Sequence, residues 1–61
     1  DPNVNLDIGA RVSVPQWHER RARVMYRGAL WDVELQDGFE PAPGDYRVVE
    51  VRGNVLIVAR P

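Results

Sequence analysis

The sequence predicts an all-β fold, a small barrel of five short strands, and three observations carry that prediction. Arg21 to Leu35 alternates apolar and polar residues with a period of two on both sides of Arg27-Gly28, the mark of two strands that each bury one face. Glycine and proline divide most of the remaining chain into runs too short for helices, and no run keeps a 3.6-residue period. The 61 residues include no cysteine and only one histidine, His18, so neither a disulfide nor a zinc site can hold a domain this small. Its strands must close on themselves, or a partner must cover them.

Taken in order, Asp1 to Asp7 is polar and is expected to form a flexible arm, with residues 8–61 as the folded domain. Ile8, Ala10, Val12 and Val14 alternate with polar or small residues and predict a first strand, which Pro15 ends because it has no amide hydrogen for a ladder. Gln16 to Arg20 is a polar loop with one aromatic, Trp17. The hairpin that follows directs Ala22, Val24 and Tyr26, then Ala29, Trp31, Val33 and Leu35, toward one face. Gly28 supplies the positive φ of a two-residue turn, and Trp31 is expected at the centre of the interior. On that expectation Trp31→Ala costs about 3–5 kcal/mol.

Gln36 to Gly44 is a stiff loop built on Pro41-Ala42-Pro43. In Asp45 to Arg52, Tyr46 and Val48 share one parity while Val49 and Val51 share the other. A β-bulge near Val49-Glu50 reconciles them, and it bends the strand as a small barrel requires. Gly53-Asn54 fits a tight turn with glycine first, and Val55 to Ala59 is the last strand. Leu56 and Val58 are expected to face inward, with Val55 and Ile57 on the outside. Five strands suit an OB-fold or an SH3-like barrel, and the longer middle loop favours an OB-fold-like barrel.

Composition narrows the function. Eight arginines, no lysine and nine acidic residues leave a net charge of −1, against the basic excess usual in a nucleic-acid binder. Apolar runs fall short of the roughly 20 residues that cross a bilayer. The chain opens on Asp1-Pro2-Asn3, which reads as a domain excised from a longer protein.

Candidate chemistry is sparse. Ser13 lies on a predicted strand and His18 in a loop, with no orienting group for either, so no nucleophilic site is expected. Asp32 and Glu34 alternate on an outer strand face with no cleft over them. No catalytic residue, cofactor or metal is therefore assigned. Two surfaces remain. Trp17, Arg20, Arg21 and Arg23 form a candidate single-stranded nucleic-acid contact, with Trp17 free to stack on a base. Arg23, Met25, Arg27 and Leu30 form a candidate protein-interaction patch, because apolar residues among arginines suit an interface.

The segment Gly28-Ala29-Leu30-Trp31-Asp32-Val33, then a loop, then Gly44 through Val58 resembles the C-terminal soluble domain of NfeD-like proteins. The shared features are a glycine ahead of an aromatic, a glycine opening a valine-rich strand, a second turn glycine and a Leu-x-Val ending. The likeness spans about residues 9–60. Arg20-Arg21 departs from the glycine that family members often place before the strand beginning at Ala22, and Trp17-His18-Glu19 is not a family feature. The resemblance implies a five-stranded OB-fold without catalysis, carried by a membrane-anchored parent in the cell membrane and facing the cytoplasm. It also implies a stomatin- or flotillin-like (SPFH) membrane partner, with self-association possible. The implied role lies in membrane organisation or the regulation of membrane proteases.

Overall fold

A computed structural model of the chain describes residues 8–61; the arm expected at residues 1–7 lies outside them. Five strands make one sheet: β1 (Arg11–Val14), β2 (Arg21–Tyr26), β3 (Ala29–Leu35), β4 (Gly44–Arg52) and β5 (Val55–Ala59). Their order is β1-β4-β5-β3-β2, and β3 runs parallel to β5 while the other pairs are antiparallel. The sheet curls until β1 and β2 touch, but those two exchange no ladder. The result is a nearly closed OB-fold-like barrel. Among the described residues no helix is long and apolar enough to cross a membrane.

Strand parity builds the core. Val12 and Val14 from β1, Val24 and Tyr26 from β2, Val33 and Leu35 from β3, Tyr46 and Val48 from β4, and Leu56 and Val58 from β5 form one buried cluster. The turn between β2 and β3 has both Arg27 (φ 52°) and Gly28 (φ 81°) in the left-handed region, as a type I′ turn requires. The predicted bulge is present. The β4–β5 register shifts between Val48 and Glu50, so Val49 is the extra residue, and Val51 regains the inner side half-buried.

Four expectations are corrected. The first strand is shorter than its alternation suggests: Ile8 is 44% exposed and regular pairing begins at Arg11. Only single backbone bonds, Gly9 N–H to Val48 O (2.7 Å) and Val48 N–H to Ala10 O (2.9 Å), extend it. Trp31 is not central. The β3–β5 ladder starts at Asp32↔Val55, so Ala29 to Trp31 run past the end of β5 and lack a neighbour on that side. Ala29 is therefore exposed and Trp31 only half-buried, packed edge-on to Tyr26 (centroids 6.3 Å, 80°). The interior is centred instead on Tyr46, the largest fully buried side chain.

Third, Val55 and Ile57 are not an exposed outer patch. The registers set Ile57 between Glu34 and Glu50, and Val55 between Asp32 and Arg52. Long charged side chains cover apolar neighbours with their stems: Ile57 is 6% exposed and Val55 half-buried. Glu50 receives Arg52 Nε and Nη2 at 3.1 and 3.2 Å, and this hydrogen bonding raises the Arg52 pKa above its ordinary value. Fourth, Trp17 is not free, as its surroundings make plain.

Candidate interaction surface

The loop between β1 and β2 turns tightly. His18 and Arg21 exchange two backbone hydrogen bonds (2.8 and 3.0 Å), with Glu19 in the left-handed region at φ 60°. This turn aims Trp17 and Arg20 at the middle loop. The Trp17 indole Nε1–H donates to the Ala42 carbonyl at 3.0 Å, and its ring meets Tyr46 edge-on (5.3 Å, 87°). The Tyr46 hydroxyl donates to the same carbonyl and accepts from the Ala42 N–H. Arg20 holds the other end of that loop, donating to the carbonyls of Phe39 (2.9 Å), Gln36 (2.6 Å) and Leu35 (3.3 Å).

These contacts occupy Trp17 and Arg20, the two residues that lead the candidate nucleic-acid contact. A base-stacking platform needs an open aromatic face beside uncommitted cations. Trp17 is half-buried against the core, and the Arg20 guanidinium is used on loop carbonyls. Arg21 and Arg23 reach across the hairpin to Glu34 (2.9 Å) and Asp32 (3.1 Å). Such exposed pairs contribute little stability each, but they leave a face of alternating sign instead of a cationic groove.

The outer face of β2 and β3 runs in rows set by register: Arg21 beside Glu34, Arg23 beside Asp32, Met25 beside Leu30. With Tyr26 and Ala29 closing a two-residue turn, these three are non-hydrogen-bonded pairs, in which side chains approach most closely. The first two rows are ion pairs. The third is bare hydrocarbon: Met25 is 65% and Leu30 62% exposed. The two lie directly opposite one another at the hairpin tip, so their exposure is one patch and not two scattered residues.

Of the predicted patch, the structure brings Arg23, Met25 and Leu30 onto one face. Arg27 turns aside, its guanidinium 5.6 Å from the Tyr26 ring centroid and its Nε donating to the Tyr26 hydroxyl (3.3 Å). Sequence reasoning did not anticipate the neighbouring cleft of about 430 Å³, lined by Arg23, Ala29, Leu30, Trp31, Asp32 and Asn54. It exists because β3 overruns β5, a fact of sheet order with no local signature. Ser13 and His18 are both exposed, and neither side chain bonds the other. Among the described residues no group of three or more histidines and carboxylates is placed to hold a metal.

Comparison with known proteins gives two findings. The family described as "NfeD-like C-terminal, partner-binding domain" matches residues 4–60. Among solved structures, the C-terminal domain of stomatin operon partner protein 1510-C from Pyrococcus horikoshii is similar at a TM-score of 0.75 and 28% identity, covering 93% of this chain and 91% of that one. No curated protein gives a significant match.

Proposed function

The chain belongs to the NfeD-like family, as its C-terminal, partner-binding domain, and from that premise we propose that its contact surface is the tip of the β2–β3 hairpin. The domain is non-enzymatic and belongs to a membrane-associated protein family. Its proposed partner is a stomatin-type (SPFH) membrane protein, in line with the name of the similar domain from Pyrococcus horikoshii. Residues 8–61 would then serve as the cytoplasmic domain of a membrane-anchored parent, with a part in membrane organisation or the control of a membrane protease.

One observation carries the choice of surface. Met25 and Leu30, the most exposed large apolar residues described, face each other across one ladder position. Arg23 adjoins them, and arginine with methionine is the combination enriched at interface cores. Arg27 flanks the patch from the turn.

The test is a titration of the chain against a stomatin-type protein by calorimetry. The double variant Met25→Glu, Leu30→Glu sets two like charges opposite one another where water already reaches, at a cost of under about 1 kcal/mol, so it should still fold and bind at least tenfold more weakly. Unchanged affinity in a folded variant would move the contact elsewhere.

A further inference from the structure

Among the described residues, the backbone of β2 beneath that patch is unpaired on the side away from β3. In the β2–β3 ladder Arg20 accepts from the Leu35 N–H at 3.0 Å, so even-numbered residues of β2 direct their peptide groups toward β3. Odd-numbered residues direct theirs the other way, and Arg21 demonstrates it by pairing with His18 on that side. Arg23 and Met25 follow with the same orientation. β1 touches β2 without forming a ladder, and among the described residues no backbone hydrogen bond outside the β2–β3 ladder reaches Arg23 or Met25. Two N–H donors and two carbonyls thus line an open strand edge directly beside the exposed Met25–Leu30 pair.

An edge of this kind is a template for another strand. We infer that the open edge of β2 is a strand-docking site, where an extended acidic segment of the partner protein adds to the sheet along Arg23 and Met25. The inference rests on the hairpin-tip reading above and says how that surface is used.

Charge chooses the occupant. Arg21 and Arg23 are bridged by Glu34 and Asp32 from the β3 side, yet their side chains stay 68% and 66% exposed. A guanidinium has five donors in a fork, so each can take a second carboxylate from the side opposite β3. An acidic residue on an added strand would continue the alternation of sign across the rows, while an apolar one two positions along would meet Met25. A second copy of this chain fits poorly. The symmetric antiparallel registers that use Arg23 and Met25, centred on Arg23, Val24 or Met25, set Arg23 against itself, Arg21 against Arg27 or Arg23 against Arg27, and like charges directly opposite destabilise a pair.

Amide hydrogen exchange of the isotope-labelled chain, alone and saturated with the stomatin-type protein, tests this. In the free chain the Arg23 and Met25 amides should exchange fast, although those of Val24 and Tyr26 between and beside them are protected. Saturation should slow Arg23 and Met25 at least 100-fold, and an N-methyl group on the Met25 amide nitrogen should weaken binding at least tenfold. If the partner binds, the Met25→Glu, Leu30→Glu variant loses it, and yet the Arg23 and Met25 amides keep their free rates, the strand-docking inference is overturned while the hairpin-tip surface stands. Absence of any binding would overturn both. Protection of these amides that rises with the chain's own concentration, without partner, would replace the acidic segment with a second copy.

Discussion

The Ala42 carbonyl accepts from two side chains, Trp17 and Tyr46, and this predicts a particular failure of additivity. Phenylalanine at either position keeps a ring for the edge-on contact and removes the polar hydrogen. Trp17→Phe alone leaves the carbonyl satisfied by Tyr46; the loss is one hydrogen bond plus some ring area, about 1–2 kcal/mol. Tyr46→Phe alone leaves it satisfied by Trp17 but strands the Ala42 N–H, which bonds the hydroxyl at 3.3 Å, again about 1–2 kcal/mol. Only the double variant orphans the carbonyl. Because Ala42 is half-buried, water recovers part of that penalty, and the double should exceed the sum of the singles by about 1 kcal/mol. For a domain this small that excess equals about 4–8 °C in Tm. Urea unfolding followed by circular dichroism measures all four chains, with added sulfate to keep the double variant folded. Additivity within about 0.3 kcal/mol, or a double variant better than the sum, would refute the shared-acceptor account.

Four further outcomes follow from the same geometry. Arg20→Leu, which abandons three loop carbonyls, should cost about 1.5–3 kcal/mol in urea unfolding, and the parent chain should show no saturable binding of labelled single-stranded oligonucleotides even at low salt. The two left-handed turn positions should respond with opposite signs in thermal melts. Glu19→Asn should stabilise by up to about 1 kcal/mol, because asparagine tolerates φ 60°, whereas Gly28→Ala at φ 81° should destabilise by about 1–2 kcal/mol. Tyr46→Ala should cost about 3–5 kcal/mol and Trp31→Ala about 2 kcal/mol; equal losses would return Trp31 to the centre of the interior.

The parts of the fold legible in the sequence are those governed by neighbours in the chain. Val24, Tyr26, Val33 and Leu35 point inward because a strand alternates, and the parity break between Val48 and Val49 announces the bulge. The parts that escaped depend on which strands lie side by side. The parallel β3–β5 pairing brings Glu34 over Ile57 and leaves Trp31 beyond the end of β5, and no alternation pattern encodes that. The partners of Trp17 and Arg20 escaped for a related reason: they are backbone carbonyls 15 to 25 residues away, and a carbonyl has no residue type to recognise. The shared exposed face of Arg23, Met25 and Leu30 was legible because exposure on a hairpin follows from parity alone, whereas the edge beneath them follows from the gap between β1 and β2.

The position of β5 bears on how the molecule comes into being. Made last of the five, it lies in the middle of the sheet. A nascent chain that has emerged only as far as Gly53 can assemble β1 with β4 and β2 with β3, but no ladder ties one pair to the other. Two separate strand pairs therefore wait for a keystone, and their inner faces are joined only when β5 takes its place between them. Closure of the barrel therefore waits on the pairing of β5 with both β3 and β4, a step set by non-local contacts.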